Sequence, residues 1–312
     1  MWKKIHCLAI VLIYLLTAHS VCAWDPELKS DSFLLSPDWQ GEVIGAHRFH
    51  TAGPKETLME LARDKMLGYT NVKNANPGID PWFPSPGQVV LLPYSSILPI
   101  EANPGITINL AELRLYYIWE ENGRFRARTY PVGIGTEGTE SPLGQFAILS
   151  KIENPTWTVP LSIRKERPES PASVPPGPSN PLGKFWMGFS RGGFGVHGTN
   201  IPLGVGRRVS HGCLRLYAQD IQDLFSRAAI GTPLQIINNP IKVGRKNDIL
   251  FLEVHRDLQE NDDELKKEIV RQARVLNWSG TLDWDGIERI LKENRGIPFP
   301  ISFAAEQHSS NL

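Results

Sequence analysis

From about residue 104 the chain alternates between apolar and polar positions. Ile106, Ile108 and Leu110 keep this two-residue beat, and Leu113, Leu115, Tyr117 and Trp119 repeat it. Side chains two apart share one face of a strand, so both runs predict strands with one buried face. Asn122-Gly123 between two such runs predicts a tight hairpin. Gly133, Gly135 and Gly138 punctuate the next turn, and Phe146 to Leu149 reads as a further strand. The period then changes. Ile221, Leu224, Phe225 and Ala228 have helical spacing, Gly231 is placed to stop that helix, and Leu234 to Ile237 reads as a closing strand. Upstream, residues 42–94 read as strand, helix, helix, strand. Glu42-Val43-Ile44 opens the unit, and Thr57-Leu58-Met59-Glu60 is a capping box at the first helix. Asn76-Pro77-Gly78 ends the second helix, and Gln88 to Leu92 forms the last strand. Beyond residue 240 the text is more charged, with helices expected over Glu264 to Val275 and Trp284 to Glu293.

The pattern predicts a mainly β molecule with a small βααβ unit and a partly helical extension. Length changes little in that picture, since 312 residues hold two or three domains. Charge excludes more. The formal net charge is zero, so the chain lacks the basic excess that draws a protein to nucleic acid. The N-terminus is read as a signal peptide over residues 1–23: Lys3 and Lys4, then the apolar run Leu8 to Leu16, then Val21-Cys22-Ala23 as the cleavage site. The apolar run is too short to span a bilayer comfortably. Export to the periplasm or cell envelope is therefore expected, with no membrane span after cleavage. Residues 24–41 are a lead-in, 42–94 the βααβ unit, 100–238 the main domain and 239–312 an extension.

Of three cysteines, Cys7 and Cys22 lie in that leader, which leaves Cys213 as the one thiol of the mature chain. A lone thiol in an oxidising compartment is either buried and inert or in use.

The βααβ unit resembles a LysM module. Thr57-Leu58, Asn74-Ala75-Asn76-Pro77-Gly78 and Pro86-Gly87-Gln88-Val89 carry the resemblance, while Asp80-Pro81-Trp82-Phe83 departs from the commoner short loop. The resemblance implies contact with N-acetylglucosamine-containing glycan strands. The alternative is a packing domain that binds nothing.

The chemistry is concentrated in two segments, Gly195-Val196-His197-Gly198-Thr199-Asn200 and Val209-Ser210-His211-Gly212-Cys213-Leu214-Arg215-Leu216. A free thiol is mostly protonated near neutral pH, and an imidazole that takes its proton makes a nucleophile for acyl transfer. On one strand, His211 and Cys213 would share a face but stand roughly 6.6 Å apart. A residue on a neighbouring strand comes closer, so His197 is assigned as base and acid, brought opposite Cys213 by the loop Asn200 to Arg208. His211 is expected to line the site. Gly212 lets the backbone approach a substrate carbonyl, and the amides of Gly212 and Cys213 are candidates for an oxyanion hole. The Gly198 carbonyl is a candidate to fix the His197 tautomer. Arg215 is read either as a clamp for a substrate carboxylate or as half of a structural ion pair. Six prolines between Pro168 and Pro181 form a stiff loop expected over the site. A zinc site is disfavoured, since the spacing lacks paired ligands.

His197-Gly198-Thr199 and Ser210-His211-Gly212-Cys213-Leu214-Arg215 resemble the signature of the L,D-transpeptidase family, whose catalytic domain is YkuD-like. Asn154-Pro155-Thr156-Trp157-Thr158 and Pro176-Gly177-Pro178-Ser179-Asn180-Pro181 are similar to the ErfK/YbiS-type branch, which adds a LysM-like unit. The resemblance covers about residues 100–238. It implies a β-sandwich or barrel-like catalytic domain with a short helix. It further implies Cys213 as nucleophile, His197 as its proton partner, and Ser210, His211, Gly212, Gly198 and Arg215 in support. The implied partners are peptidoglycan stem peptides and an amine acceptor, either another stem or a lysine of a wall-anchored lipoprotein. With water as acceptor the enzyme would be a carboxypeptidase. No metal or organic cofactor is called for.

Overall fold

The computed structural model describes residues 32–255 and 261–302, so the expected leader lies outside the described residues. The first described segments are β1 (Phe33–Leu34), β2 (Val43–Ile44), β3 (Arg48–Thr51), α1 (Leu58–Asp64), α2 (Tyr69–Ala75), β4 (Val89–Leu92) and β5 (Ser96–Ile97). The capping box forms as read: Thr57 Oγ1 accepts the Glu60 amide at 3.1 Å and Glu60 Oε2 accepts the Thr57 amide at 3.3 Å. Leu58, Leu61 and Ala62 of α1 pack with Val72, Val90 and Leu92 into a small core. The pairing differs from expectation at the start. β3, not the Val43–Ile44 strand, pairs antiparallel with β4, whereas β2 pairs with β5.

The main domain follows with β6 (Gly105–Asn109), β7 (Arg114–Glu121), β8 (Arg124–Pro131), β9 (Ile134–Gly135), β10 (Gly144–Glu153), β11 (Trp157–Thr158), α3 (Leu161–Glu166), β12 (Ser173–Val174), β13 (Phe185–Phe189), β14 (Gly195–His197), β15 (Arg208–Ser210), β16 (Leu214–Arg215), α4 (Ala218–Arg227) and β17 (Pro233–Ile237). The hairpin turn has Asn122 and Gly123 both at positive φ, 54° and 74°, as a two-residue turn between twisted strands requires. A nine-stranded sheet runs β1-β8-β7-β6-β17-β10-β13-β14-β16. Its far edge curls back on itself. Gly133, just beyond β8, and Arg215 of β16 exchange reciprocal backbone hydrogen bonds of 2.8 Å. The result is a barrel-like wall around a core that includes Ile108, Leu115, Met187, Val196, Leu214 and Leu224.

Two expectations need correcting here. The Leu234–Ile237 run does not close the sheet but lies inside it, parallel to β6 and antiparallel to β10. Helix α4 ends on an extended Ala228, and Gly231 instead makes the turn into β17.

The extension is more than helices. β18 (Ile241–Lys246), β19 (Ile249–Val254) and β20 (Phe299–Pro300) form a three-stranded sheet covered by α5 (Asp262–Val275) and α6 (Trp284–Glu293). Asn247 and Asp248 both have positive φ in the β18–β19 turn.

Candidate active site

The site grows from two short strands. β14 and β16 run parallel and side by side, so the loop between them does return the chain beside itself. The register departs from expectation. Arg215, not Cys213, stands directly across from His197, and Val196 faces Leu214. Cys213 stands just before β16, one residue ahead of the Leu214 that pairs with Val196, and the Arg215 charge reaches both Cys213 and His197. The segment 209–216 is also not one strand. It breaks at His211-Gly212-Cys213, with Gly212 at a φ of 96°.

That break has a steric cause. A Cβ on Gly212 would stand 2.6 Å from Phe194 Cε1 and 3.0 Å from the Glu140 carbonyl oxygen. The glycine is required by its left-handed backbone and by its own neighbours. Its amide is already engaged, donating to Ser210 Oγ at 3.1 Å. Of the two amides considered for an oxyanion hole, only that of Cys213 donates to no described residue.

Cys213 is half-buried, and its Sγ faces the Gly193 carbonyl oxygen at 3.7 Å. Burial pushes the thiol pKa up, while the Gly195 amide and the Arg215 charge pull it the other way. His197 is buried, with its ring 5.6 Å from that of Trp186 in a stacked arrangement. Its Nδ1 lies 2.6 Å from the Gly198 carbonyl oxygen. A carbonyl only accepts, so Nδ1 carries the proton and Nε2 keeps its lone pair. Burial lowers the His197 pKa to about 4; the Gly198 and Leu182 carbonyls oppose that shift and Arg215 adds to it.

Arg215 has no carboxylate partner among the described residues, and its buried Nε has no hydrogen-bond partner. The structural ion pair considered for it is absent among the described residues. His211 does not join His197. It is exposed, and its Nε2 lies 3.1 Å from Glu166 Oε2 at the end of α3. The proline-rich segment, which follows α3, includes β12, paired with β11. Its base is pinned by fully buried Asn180, whose Nδ2 donates to the carbonyls of Pro155, Val174 and Pro175 at 2.8, 3.2 and 3.2 Å. Asn180 Oδ1 accepts the Leu182 amide at 2.9 Å.

Sequence reasoning missed Ser141. Its Oγ accepts the Gly135 amide at 3.1 Å and donates to the Gly212 carbonyl oxygen at 2.8 Å. Among the described residues, the cluster able to hold a metal is Glu112, Glu253 and His255, and Lys242 Nζ already sits within it, 2.5 Å from Glu112.

Residues 103–236 match the L,D-transpeptidase catalytic domain, YkuD. The chain is 38% identical over 287 residues to the probable L,D-transpeptidase YcfS of Escherichia coli K12, covering 88% of this chain and 89% of that one. It is 35% identical over 270 residues to the probable L,D-transpeptidase ErfK/SrfK of the same organism, covering 83% and 85%. The solution structure of the catalytic domain of an Enterococcus faecium L,D-transpeptidase aligns with 43% of this chain and 97% of its own, at 23% identity and a TM-score of 0.33. By its matched domain and by identity along nearly its whole length, the chain belongs to the YkuD L,D-transpeptidase family.

Proposed function

We propose that the protein is an exported peptidoglycan L,D-transpeptidase with Cys213 as nucleophile and His197 as its proton partner. The observation that carries this reading is a half-buried thiol at the entry to β16, next to the strand β14 that carries an imidazole whose Nδ1 is held by the Gly198 carbonyl. Nε2 takes the thiol proton as sulfur attacks the carbonyl carbon of the third stem residue. The oxyanion that forms is met by the Cys213 amide. As it collapses, the C–N bond breaks and His197 returns the proton to the departing D-alanine amine, leaving a thioester. An acceptor amine then attacks the thioester, gives its proton to His197 and releases sulfur. Arg215, a cation without an acid, binds a stem carboxylate beside the reacting carbonyl. The βααβ unit supplies glycan contact. No described helix is long and apolar enough to cross a membrane.

Mass spectrometry of the mature protein with a tetrapeptide donor tests the assignment. The wild type is expected to gain the acyl mass and release D-alanine, and Cys213→Ala to do neither. Normal turnover by Cys213→Ala would refute it. The muropeptide products identify the acceptor: cross-linked dimers, a lipoprotein-linked stem, or released D-alanine alone.

A further inference from the structure

The turn that presents Cys213 is clamped on both sides by hydroxyl groups. Ser210 Oγ donates to the Cys213 carbonyl oxygen at 2.6 Å and accepts the Gly212 amide at 3.1 Å. Ser141, from the loop between β9 and β10, reaches the other side and donates to the Gly212 carbonyl oxygen at 2.8 Å. Ser141 is itself buried, and its Oγ is held by the Gly135 amide at 3.1 Å. Thr139 Oγ1, from the same loop, donates to the Ser210 carbonyl oxygen at 3.1 Å.

One of these bonds bears on catalysis through the geometry of the peptide unit. The Gly212 carbonyl and the Cys213 N–H belong to the same planar group and point in opposite directions. Whatever fixes the carbonyl end fixes the direction of the N–H. A donor on the carbonyl also polarises the group and makes its N–H a stronger donor. Gly212 has no side chain to hold the turn, and its φ of 96° is a conformation a glycine leaves readily.

We propose that Ser141 is a positioning residue that aims and strengthens the Cys213 amide as the oxyanion donor. The inference rests on the reading of Cys213 as the acylated nucleophile. Ser141 touches no substrate; it acts through the 212–213 peptide group. Because the Gly212 amide is committed to Ser210, the Cys213 amide works without a second donor from that turn, and its direction matters correspondingly more.

The test separates the thiol from the oxyanion site. Acylation by a carbapenem or a tetrapeptide develops negative charge on a carbonyl oxygen, whereas alkylation by iodoacetamide does not place charge there. In Ser141→Ala the Cys213 N–H remains but loses its support, so acylation is expected to slow by roughly 10-fold, less than the ~10²–10³-fold cost of deleting an oxyanion donor outright. Iodoacetamide labelling of Cys213 should stay within about twofold of wild type, by the same donor argument. Ser141→Thr, which keeps the hydroxyl, should acylate far faster than Ser141→Val, which has the same shape without it. This isosteric pair decides the matter even if the alanine variant folds poorly. Equal acylation by the Thr and Val variants, or parallel loss of acylation and alkylation, would overturn the inference and leave the Cys213 reading standing. A wild-type protein that forms no acyl adduct would instead remove the reading beneath it.

Discussion

Opposing influences meet at His197. Burial strips water from the ring and disfavours its charged form, while two carbonyl groups favour it and the Arg215 guanidinium opposes it again. Burial wins and sets the pKa at about 4, well below the ordinary imidazole value of about 6.5. The thiol at Cys213 is moved the other way. Burial thus favours the uncharged form of both groups. Above a pH of about 4 the ring is unprotonated and competent; below it the base is lost. The acid limb of the pH profile of acylation is expected near 4, and a limb near 6.5 would contradict it. The sequence could propose this site because thiol, imidazole and glycine lie in two compact segments. Their register was not legible, because the turn of the loop 200–207 decides it and no local pattern encodes that turn. Ser141 was invisible for a related reason: its partner lies 71 positions away, across the fold.

The element of most consequence is the segment between β10 and β13. Its prolines announced a stiff loop, and its secondary structure is a short helix and a two-stranded ladder anchored at Asn180. Asn180→Ala removes a buried amide that satisfies three carbonyls and one N–H, at an expected cost on the order of 2–4 kcal/mol. The loss should be local. Limited proteolysis is expected to cut between residues 155 and 182 faster in this variant, and the share of thioester lost to water should rise. Unchanged cleavage and an unchanged product ratio would show that the anchor is dispensable. The missed strands β18 and β19 carry a different lesson. Ile249-Leu250-Phe251-Leu252 and the Asn247-Asp248 turn are present in the sequence, but helical periodicity further along dominated the reading of that region.

At the scale of the whole molecule, a buried charge network joins the segments. Lys242 of β18 contacts Glu112, Glu253, Ser96 and the Tyr116 hydroxyl, so β5, the β6–β7 turn, β7, β18 and β19 share one polar centre. Burial alone would raise the Glu253 pKa, but Lys242, His255 and Arg114 overcome it and hold the carboxyl at about 2. A carboxyl lowered on folding stabilises the protein above its unfolded value and loses that contribution as the pH falls towards the folded one. Stability is expected to decline between about pH 4.3 and 2. Lys242→Ala leaves two buried carboxylates facing one another and should cost about 3–5 kcal/mol in denaturant unfolding at neutral pH. An unchanged unfolding midpoint would rule out the network as a joint. The small unit and the main domain also meet closely. The Tyr217 hydroxyl donates to the Leu67 carbonyl at 2.9 Å, and a Cβ on Gly206 would lie 2.2 Å from the Gly68 Cα.

The seam where Gly133 meets Arg215 joins stretches of chain roughly eighty positions apart. Contacts so distant in sequence form late, after the costly closure of the intervening loop. Cys213, the proposed nucleophile, sits two residues from that seam, so a substitution that loosens the seam is expected to slow thiol acylation along with refolding.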